Sequence, residues 1–289
     1  MPTFHDLQQG SDLWLQFRRD KISASQIGVI LGLSPWQTPY QLWSEKIGLT
    51  EPEEATAAMK RGSLMEADAL REYCLMRGIE MKSAVVTHSD FPDFMASLDG
   101  ISYDSQHIVE IKCPGMKGHE ESKNGDVKPL YIAQMNWQMF CTGLSTCDYF
   151  SYDGENGYII EVGRDEVLIS KMFTAANEFL NYCRSLSPPP FTDLDYEDKS
   201  DDDYWNRLCD MYERHNQQEK CAILEKDKVK KKMIEYANGR NVKGANSKFT
   251  GYMMEGKINY EVIPELKDVN LDSYRKPSIQ CYRITTQKD

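Results

Sequence analysis

No apolar run in the 289 residues approaches the roughly 20 residues that span a bilayer, so no membrane helix is expected. The opening Met1-Pro2-Thr3-Phe4-His5-Asp6 has neither the basic nor the apolar region of a secretory signal. No two of the eight cysteines (74, 113, 141, 147, 183, 209, 221, 281) stand as Cys-x-x-Cys. That argues against zinc and iron–sulfur sites and for reduced thiols in a cytosolic protein. No internal repeat or low-complexity tract is evident. Basic residues are scarce, 34 Lys and Arg against 45 Asp and Glu, a net charge of −11. Taken over the whole surface, that balance opposes nucleic acid.

The deficit is uneven. From Trp205 to Asp289 there are 17 basic and 12 acidic residues, a net of +5; residues 1–204 hold 17 and 33, a net of −16. A nucleic-acid surface would therefore have to be local, such as a channel lined by selected Lys and Arg. With 40% hydrophobic and 27% charged residues, the chain has the composition of a soluble globule. Its length suits one large domain, or a core domain with an appendage.

One stretch organises the rest: Ser97-Leu98-Asp99-Gly100, then Val109-Glu110-Ile111-Lys112-Cys113-Pro114. Asp99 ends an apolar run just before what reads as a Gly turn. Glu110 and Lys112 lie two apart on a second run, so on a strand they project together while Val109 and Ile111 face the core. A hairpin of the two runs brings two carboxylates and an ammonium together at the edge of a small sheet. That grouping suits Mg²⁺, which takes one or two carboxylates plus water and substrate phosphate. A nearby Lys can position the attacking water and offset phosphoryl charge. Taken alone, the triplet also fits an ordinary hairpin with a surface Glu/Lys pair.

Several further elements follow from pattern. Trp14 and Phe17 mark a short amphipathic helix over 10–19. Ser23 and Gln26 form a capping box opening a helix that stops at Gly32. Ser25, in its first turn, and the nearby Arg18 could form a phosphate pocket; by themselves these residues read first as serines that only cap and an Arg18 that is solvated. Thr38-Pro39 starts a helix to Ile47. A long helix runs from Ala57 to Arg77, with Met59, Leu64, Ala67, Leu70, Tyr73 and Cys74 as its apolar stripe. Glu66 falls beside that stripe, where a carboxylate needs a partner, a metal or access to the rim. Strands follow at 81–86 and in the two key runs, then a polar loop over 114–128 carrying Lys117, Lys123 and Lys128. A helix over 130–143 has Gln134 one turn ahead of Gln138. A hairpin spans 147–162, a helix 166–186, and an acidic linker 193–204. Beyond lie one long basic helix or a helical hairpin to Gly239, a hairpin of 248–253 with 257–263, and a last strand at 278–285.

The order of helix, three strands, helix and strand, with Glu66, Asp99, Glu-x-Lys and Gln134 on it, resembles the PD-(D/E)xK nuclease core. More narrowly, the chain resembles the lambda-type phage exonucleases of the YqaJ-type viral recombinase family. The resemblance rests on Trp14 with Phe17-Arg18 leading into Ile22-Ser23-Ala24-Ser25, then Gly62-Ser-Leu-Met-Glu66, Ser97-Leu98-Asp99-Gly100, Glu110-Ile-Lys112-Cys-Pro114 and Tyr131-Ile-Ala-Gln134. It covers about residues 8–185 and implies an α/β (α+β) fold, a mixed central sheet flanked by helices, with a C-terminal helix-and-hairpin appendage. The expected domains are 1–192, a linker at 193–204, and a basic module at 205–289.

The resemblance also implies roles. Asp99, Glu110, the backbone carbonyl of Ile111 and Glu66 would hold divalent metal, two Mg²⁺ ions with Mn²⁺ as an alternative. Lys112 would contact the attacking water and the scissile phosphate, and Gln134 would orient Lys112. Arg18, Ser25 and Ser97 would grip a 5′-terminal phosphate. The implied activity is Mg²⁺-dependent 5′→3′ digestion of double-stranded DNA ends, leaving 3′ single strands for phage-type recombination. The implied assembly is a ring-shaped homotrimer in the cytoplasm of a bacterial host, encoded by a phage or prophage, with a single-strand annealing protein as partner and no membrane. The alternatives are a structure- or sequence-specific DNA endonuclease of the same fold, or a non-catalytic DNA-binding or assembly subunit.

Overall fold

The computed structural model describes residues 2–51, 56–244, 246–254, 256, 259, 263–266 and 269, with backbone alone for 57–59 and 265. Two compact units divide between Glu197 and Asp198.

The first unit opens with β1 (Thr3–His5), α1 (Asp12–Arg19), β2 (Ile22–Ser23), α2 (Ala24–Ile30), α3 (Pro39–Lys46) and α4 (Ala57–Arg77). It continues with β3 (Met81–Thr87), β4 (Phe94–Ser102), β5 (Ile108–Lys112), α5 (Met116–Lys123), α6 (Pro129–Thr142), β6 (Thr146–Tyr152), β7 (Gly157–Gly163) and α7 (Glu166–Ser185). Local chemistry sets the helix ends. Thr38 Oγ accepts from Gln41 N at 3.1 Å, and the Gln41 side chain accepts from Thr38 N at 2.9 Å. Helix α6 begins on Pro129 and ends at Gly143, whose φ of +80° favours a residue without Cβ.

The sheet runs β1-β3-β4-β5-β6-β7 and is mixed, because β5 and β6 are parallel. Their crossover carries α5 and α6. One edge of β4 pairs with β3 along most of its length. The other edge is shared: β2 takes Phe94 and Met95, and β5 takes Gly100 and Ile101. Between them, residues 96–99 have no strand on that side. Polar side chains meet the backbone there, Gln9 Nε2 to Leu98 O at 3.1 Å and Gln138 Nε2 to Ser97 O at 3.4 Å.

Helices cover both faces of the sheet. On one face α6 buries Ala133, Met135, Trp137 and Met139 in a core shared with α2, α3 and α7. Each such large side chain contributes about 1.5–3 kcal/mol on burial. On the other face α4 packs Ala69 and Tyr73 against Val109, Ile111 and Phe150. So β5 is a central strand covered on both sides, not the edge of a small sheet. Gly100 lies inside β4 rather than in a turn. A Cβ there would stand 2.7 Å from Val109 Cγ1 and 3.0 Å from Leu70 Cδ1, so its bareness lets α4 close on the sheet.

Three other expectations need correction. The α4 stripe holds in its second half, where Tyr73 is buried and Leu70 and Cys74 are half-buried, but Ala69 joins it, whereas Leu64 is 83% exposed and Ala67 is exposed. The first expected position, Met59, lies outside the described side chains. The polar loop contains a helix, α5. Its sequence lacks apolar period because its buried residues are polar. His119 Nδ1 meets Ser151 Oγ at 2.9 Å, and Ser122 Oγ donates to Gly118 O at 2.9 Å. The expected 248–253 strand is also shorter and pairs backward. Its start, β9 (Lys248–Phe249), runs antiparallel to β8 (Val242–Lys243). Most of 257–263 and all of 278–285 lie outside the described residues.

In the acidic stretch, Asp193–Asp195 forms a 3-10 turn, and Asp195 accepts a hydrogen bond from Thr38 Oγ1 at the start of α3. In the second unit α8 (Asp203–Ala237) is one continuous helix of 35 residues. Asp202 caps it by accepting from Tyr204 N and Trp205 N at 2.9 and 3.0 Å.

Candidate metal and phosphate site

Glu110 is 1% exposed on β5, yet each of its carboxylate oxygens has a partner. Oε1 accepts from Lys112 Nζ and from Gln134 Nε2 at 2.6 Å; Oε2 accepts from Gln138 Nε2 at 2.5 Å. Gln134 and Gln138 stand one turn apart on α6, so one helix face supplies both amides. A buried carboxylate without such partners would cost several kcal/mol. Lys112 sits beside the Tyr131 ring, 5.1 Å from its centroid. Burial works against the Lys112 ammonium, but Glu110 and Asp99 outweigh it and the pKa is raised. The side chain is therefore a held cation, not a base.

Asp99 Oδ2 accepts from Ile111 N at 2.8 Å. This bond forms where β5 runs past the end of its pairing with β4. In an extended strand the N–H and C=O of one residue leave by the same edge, so the Ile111 carbonyl faces the same gap as Asp99. The Asp99 carboxyl is pushed well above its ordinary range, by burial first and then by Glu110, with Lys112 opposing and Glu66 adding. Glu66, half-buried on α4, is raised by burial; Lys112 pulls it down and Glu110 pushes it up. Three carboxylates thus repel one another around one ammonium.

Among the described residues, no three His, Cys, Asp or Glu side chains are already drawn into a metal cage. The donor chemistry nonetheless fits a hard divalent cation: carboxylates in electrostatic excess with a backbone carbonyl beside them. Two soft donors stand nearby and stay protonated: Cys113 has its thiol pushed up to about 11 by burial and then by Glu66, and Cys147, which donates to Gln138 Oε1 at 3.7 Å, is pushed well above its ordinary value by burial and then by Glu110.

A second cluster flanks the same gap in β4. Arg18 Nη2 donates to Ser23 Oγ at 3.0 Å and to Ser25 Oγ at 3.4 Å, and the two hydroxyls are 3.2 Å apart. The guanidinium lies 4.6 Å over the Trp14 ring. The indole Nε1 of Trp14 donates to Ser97 Oγ at 3.0 Å. Arg18, Ser25 and Ser97 are thus linked through Trp14 and Ser23, and Arg18 is not a solvated side chain. Lys46 reaches in from α3, donating to the carbonyls of Lys21, Arg19 and Arg18 at 2.6, 3.2 and 3.5 Å.

The structure therefore gathers Asp99, Glu110, Ile111, Lys112 and Gln134 directly, with Glu66 coupled to them by charge. Lys117, Lys123 and Lys128 belong to α5 and its flank instead; Lys123 is 3.8 Å from Glu120. Three participants carried no assigned role in the sequence. Gln138 was legible as the i+4 neighbour of Gln134, and Ser23 as a cap. Lys46 left no local signal, since its partners are backbone carbonyls some twenty-five residues away.

A mixed sheet with this helix order and an Asp…Glu-x-Lys set at its centre is a PD-(D/E)xK, restriction-endonuclease-like core. A family model of the YqaJ-like viral recombinase domain matches residues 13–145. The crystal structure of an alkaline exonuclease (LHK-Exo) from Laribacter hongkongensis is similar, with 31% identity and a TM-score of 0.54; the match covers 61% of this chain and 94% of that one. LHK-Exo in complex with dAMP matches over the same shares, with a TM-score of 0.55. The Bacillus subtilis (strain 168) protein YqaJ is 29% identical over 180 residues, 60% of this chain and 56% of that protein. The chain thus spans about half the length of that curated relative. The chain belongs to the YqaJ-like viral recombinase family.

Proposed function

We propose that this protein is a divalent-metal-dependent exonuclease that digests double-stranded DNA from 5′ ends and leaves 3′ single strands for phage-type recombination. The observation that carries the reading is the gap along β4. The Asp99–Glu110–Lys112 group lies at one end and the Arg18–Ser23–Ser25–Ser97 group at the other. A terminal phosphate held by the second group would put a nearby phosphodiester at the first. Asp99, Glu110, the Ile111 carbonyl and Glu66 would hold Mg²⁺, or Mn²⁺, in one or two ions. A bound divalent ion supplies Lewis acidity toward the phosphoryl oxygen and acidifies water.

The chain's own groups do the rest. Lys112 offers a charged Nζ to the attacking water and the non-bridging oxygen. Gln134 and Gln138 hold Glu110 in one orientation. Arg18 and the serine hydroxyls donate to the terminal phosphate. In this reading residues 1–192 form the nuclease domain, 193–204 a linker and 205–289 an accessory module. Oligomerisation as a ring-shaped trimer would let an acidic protein hold duplex DNA in a locally basic channel. A single-strand annealing protein is the expected partner, in the cytoplasm of a bacterial host. Among the described residues no helix is long and apolar enough to cross a membrane.

The test is digestion of linear duplex DNA with Mg²⁺, comparing 5′-phosphate, 5′-hydroxyl and closed circular substrates. Loss of the 5′ strand from linear DNA alone, faster with the phosphate and abolished by Lys112→Ala without loss of folding, is the expected result. Cutting of the circle would make the protein an endonuclease. No cleavage with any divalent metal would leave a DNA-binding or assembly subunit.

A further inference from the structure

Helix α8 is far from self-sufficient. Of its 35 residues, Ala237 is the one buried among the described residues. Trp205, Leu208, Tyr212, Val229, Met233 and Tyr236 are 52%, 39%, 44%, 55%, 38% and 82% exposed. A solvated helix of this length does not leave such a set open without a use for it.

These six share a heptad frame, while Tyr204, Met211, Ile223, Leu224 and Ile234, also exposed, fall outside it. Trp205, Tyr212, Glu219, Lys226 and Met233 recur every seven residues, and so do Leu208, His215, Ala222, Val229 and Tyr236 three residues later. This is a heptad seam, the first series at a and the second at d. Both ends of the seam are apolar and aromatic; its middle is polar. At the C-terminal end β8 and β9 extend the apolar surface. Val229, Met233, Tyr236, Val242 and Phe249 line an open recess of about 310 Å³ with Lys232 at its rim.

We propose that α8 pairs antiparallel with α8 of a second copy of this chain. Two observations select that occupant and that direction. In a parallel pair Glu219 would oppose Glu219 and Lys226 would oppose Lys226, like charges in the seam. In the antiparallel register centred between Lys220 and Cys221, Trp205 meets Tyr236, Leu208 meets Met233 and Tyr212 meets Val229 of the second copy. Glu219 then meets Ala222 and lies one layer from Lys226. The flanks agree. Within the helix, residues 203–220 hold four acidic against three basic side chains, and residues 221–237 hold three against five. Reversing the direction sets each acidic end on a basic one. Trp205 of the second copy would enter the recess beside Tyr236. This pairing does not rest on the nuclease reading and adds to whatever assembly the first unit forms.

The test is sedimentation equilibrium of the full chain over a concentration series. The wild type should show an association step that doubles the mass. Glu219→Lys should weaken that step roughly tenfold, as should Lys226→Glu, since each places like charges together twice per pair. The double exchange E219K/K226E should restore it. A parallel seam would not be restored, because each residue would still face its own kind. Direction is read separately in a C209S/C221S background. A Leu208→Cys chain mixed with a Met233→Cys chain should give the mixed disulfide, and neither chain alone should give its own. Three results would each overturn the proposal: no doubling step, doubling insensitive to both charge reversals, or a disulfide between two copies of the Leu208→Cys chain. So would a doubling step that appears only when duplex DNA is added, which would assign the lysine-rich face to nucleic acid.

Discussion

At the scale of single residues, Glu110 shows how a buried charge is made tolerable and then useful. Its two oxygens are served unequally. Oε1 has an ammonium and an amide, and Oε2 has the Gln138 amide. Gln138→Leu should therefore cost about 1–3 kcal/mol of stability, the penalty of one unsatisfied buried acceptor, read by urea unfolding. Gln134→Leu should cost less, because Lys112 still serves Oε1. If both cost the same, Oε1 is not doubly served. Lys46 offers a pH handle. Burial, and then Arg18, lower its pKa from 10.5 to about 8, while Cys183, Asp20 and Glu45 act to raise it. Between pH 8 and 10.5 the folded protein has released a proton that the unfolded chain still holds, so this group adds stability as pH rises through that window. The melting-temperature difference between wild type and Lys46→Met should grow in favour of the wild type from about pH 8 upward. A flat difference would mean that Lys46 is unperturbed.

At the scale of elements, the site depends on how closely α4 approaches the sheet. Gly100 sets that approach, and α4 carries Glu66. Gly100→Ala should force Val109 or Leu70 aside and cost about 1–3 kcal/mol by overpacking. Val109→Ala added to it should recover part of the loss, measured by thermal unfolding. Additive losses would mean that the contact is not the cause. The first half of the α4 stripe is not legible in the sequence. Its apolar residues fit two neighbouring stripes, and the choice fell to whichever face met Val109, Ile111 and Phe150. Helix α5 was illegible for the opposite reason. Its anchors, His119 and Ser122, are polar, and periodicity detects only apolar ones.

At the scale of the whole molecule, a net charge of −11 and three mutually repelling carboxylates oppose an approaching phosphate backbone. Asp99→Asn should therefore abolish cleavage yet tighten binding to 5′-phosphorylated duplex DNA several-fold in EDTA at low salt. A fluorescence-anisotropy titration in which Asp99→Asn binds no better than wild type would show that the site charge does not limit approach.

The sequence by itself determined the order of α1–α4, β3–β5, α6, β6, β7 and α7 and the pairing of the Asp99 and Glu-x-Lys runs, because strand alternation, capping pairs and glycine stops are local. It also placed the candidate metal and phosphate residues, through local motifs and their resemblance to a family pattern. Only the tertiary structure decided that β5 is central and buried on both faces. It also decided that β4 is left open between β2 and β5, and that Gln138, Ser23 and Lys46 join the site. Those are contacts between segments distant in the chain, and long-range packing leaves no period or spacing in the residues that make it.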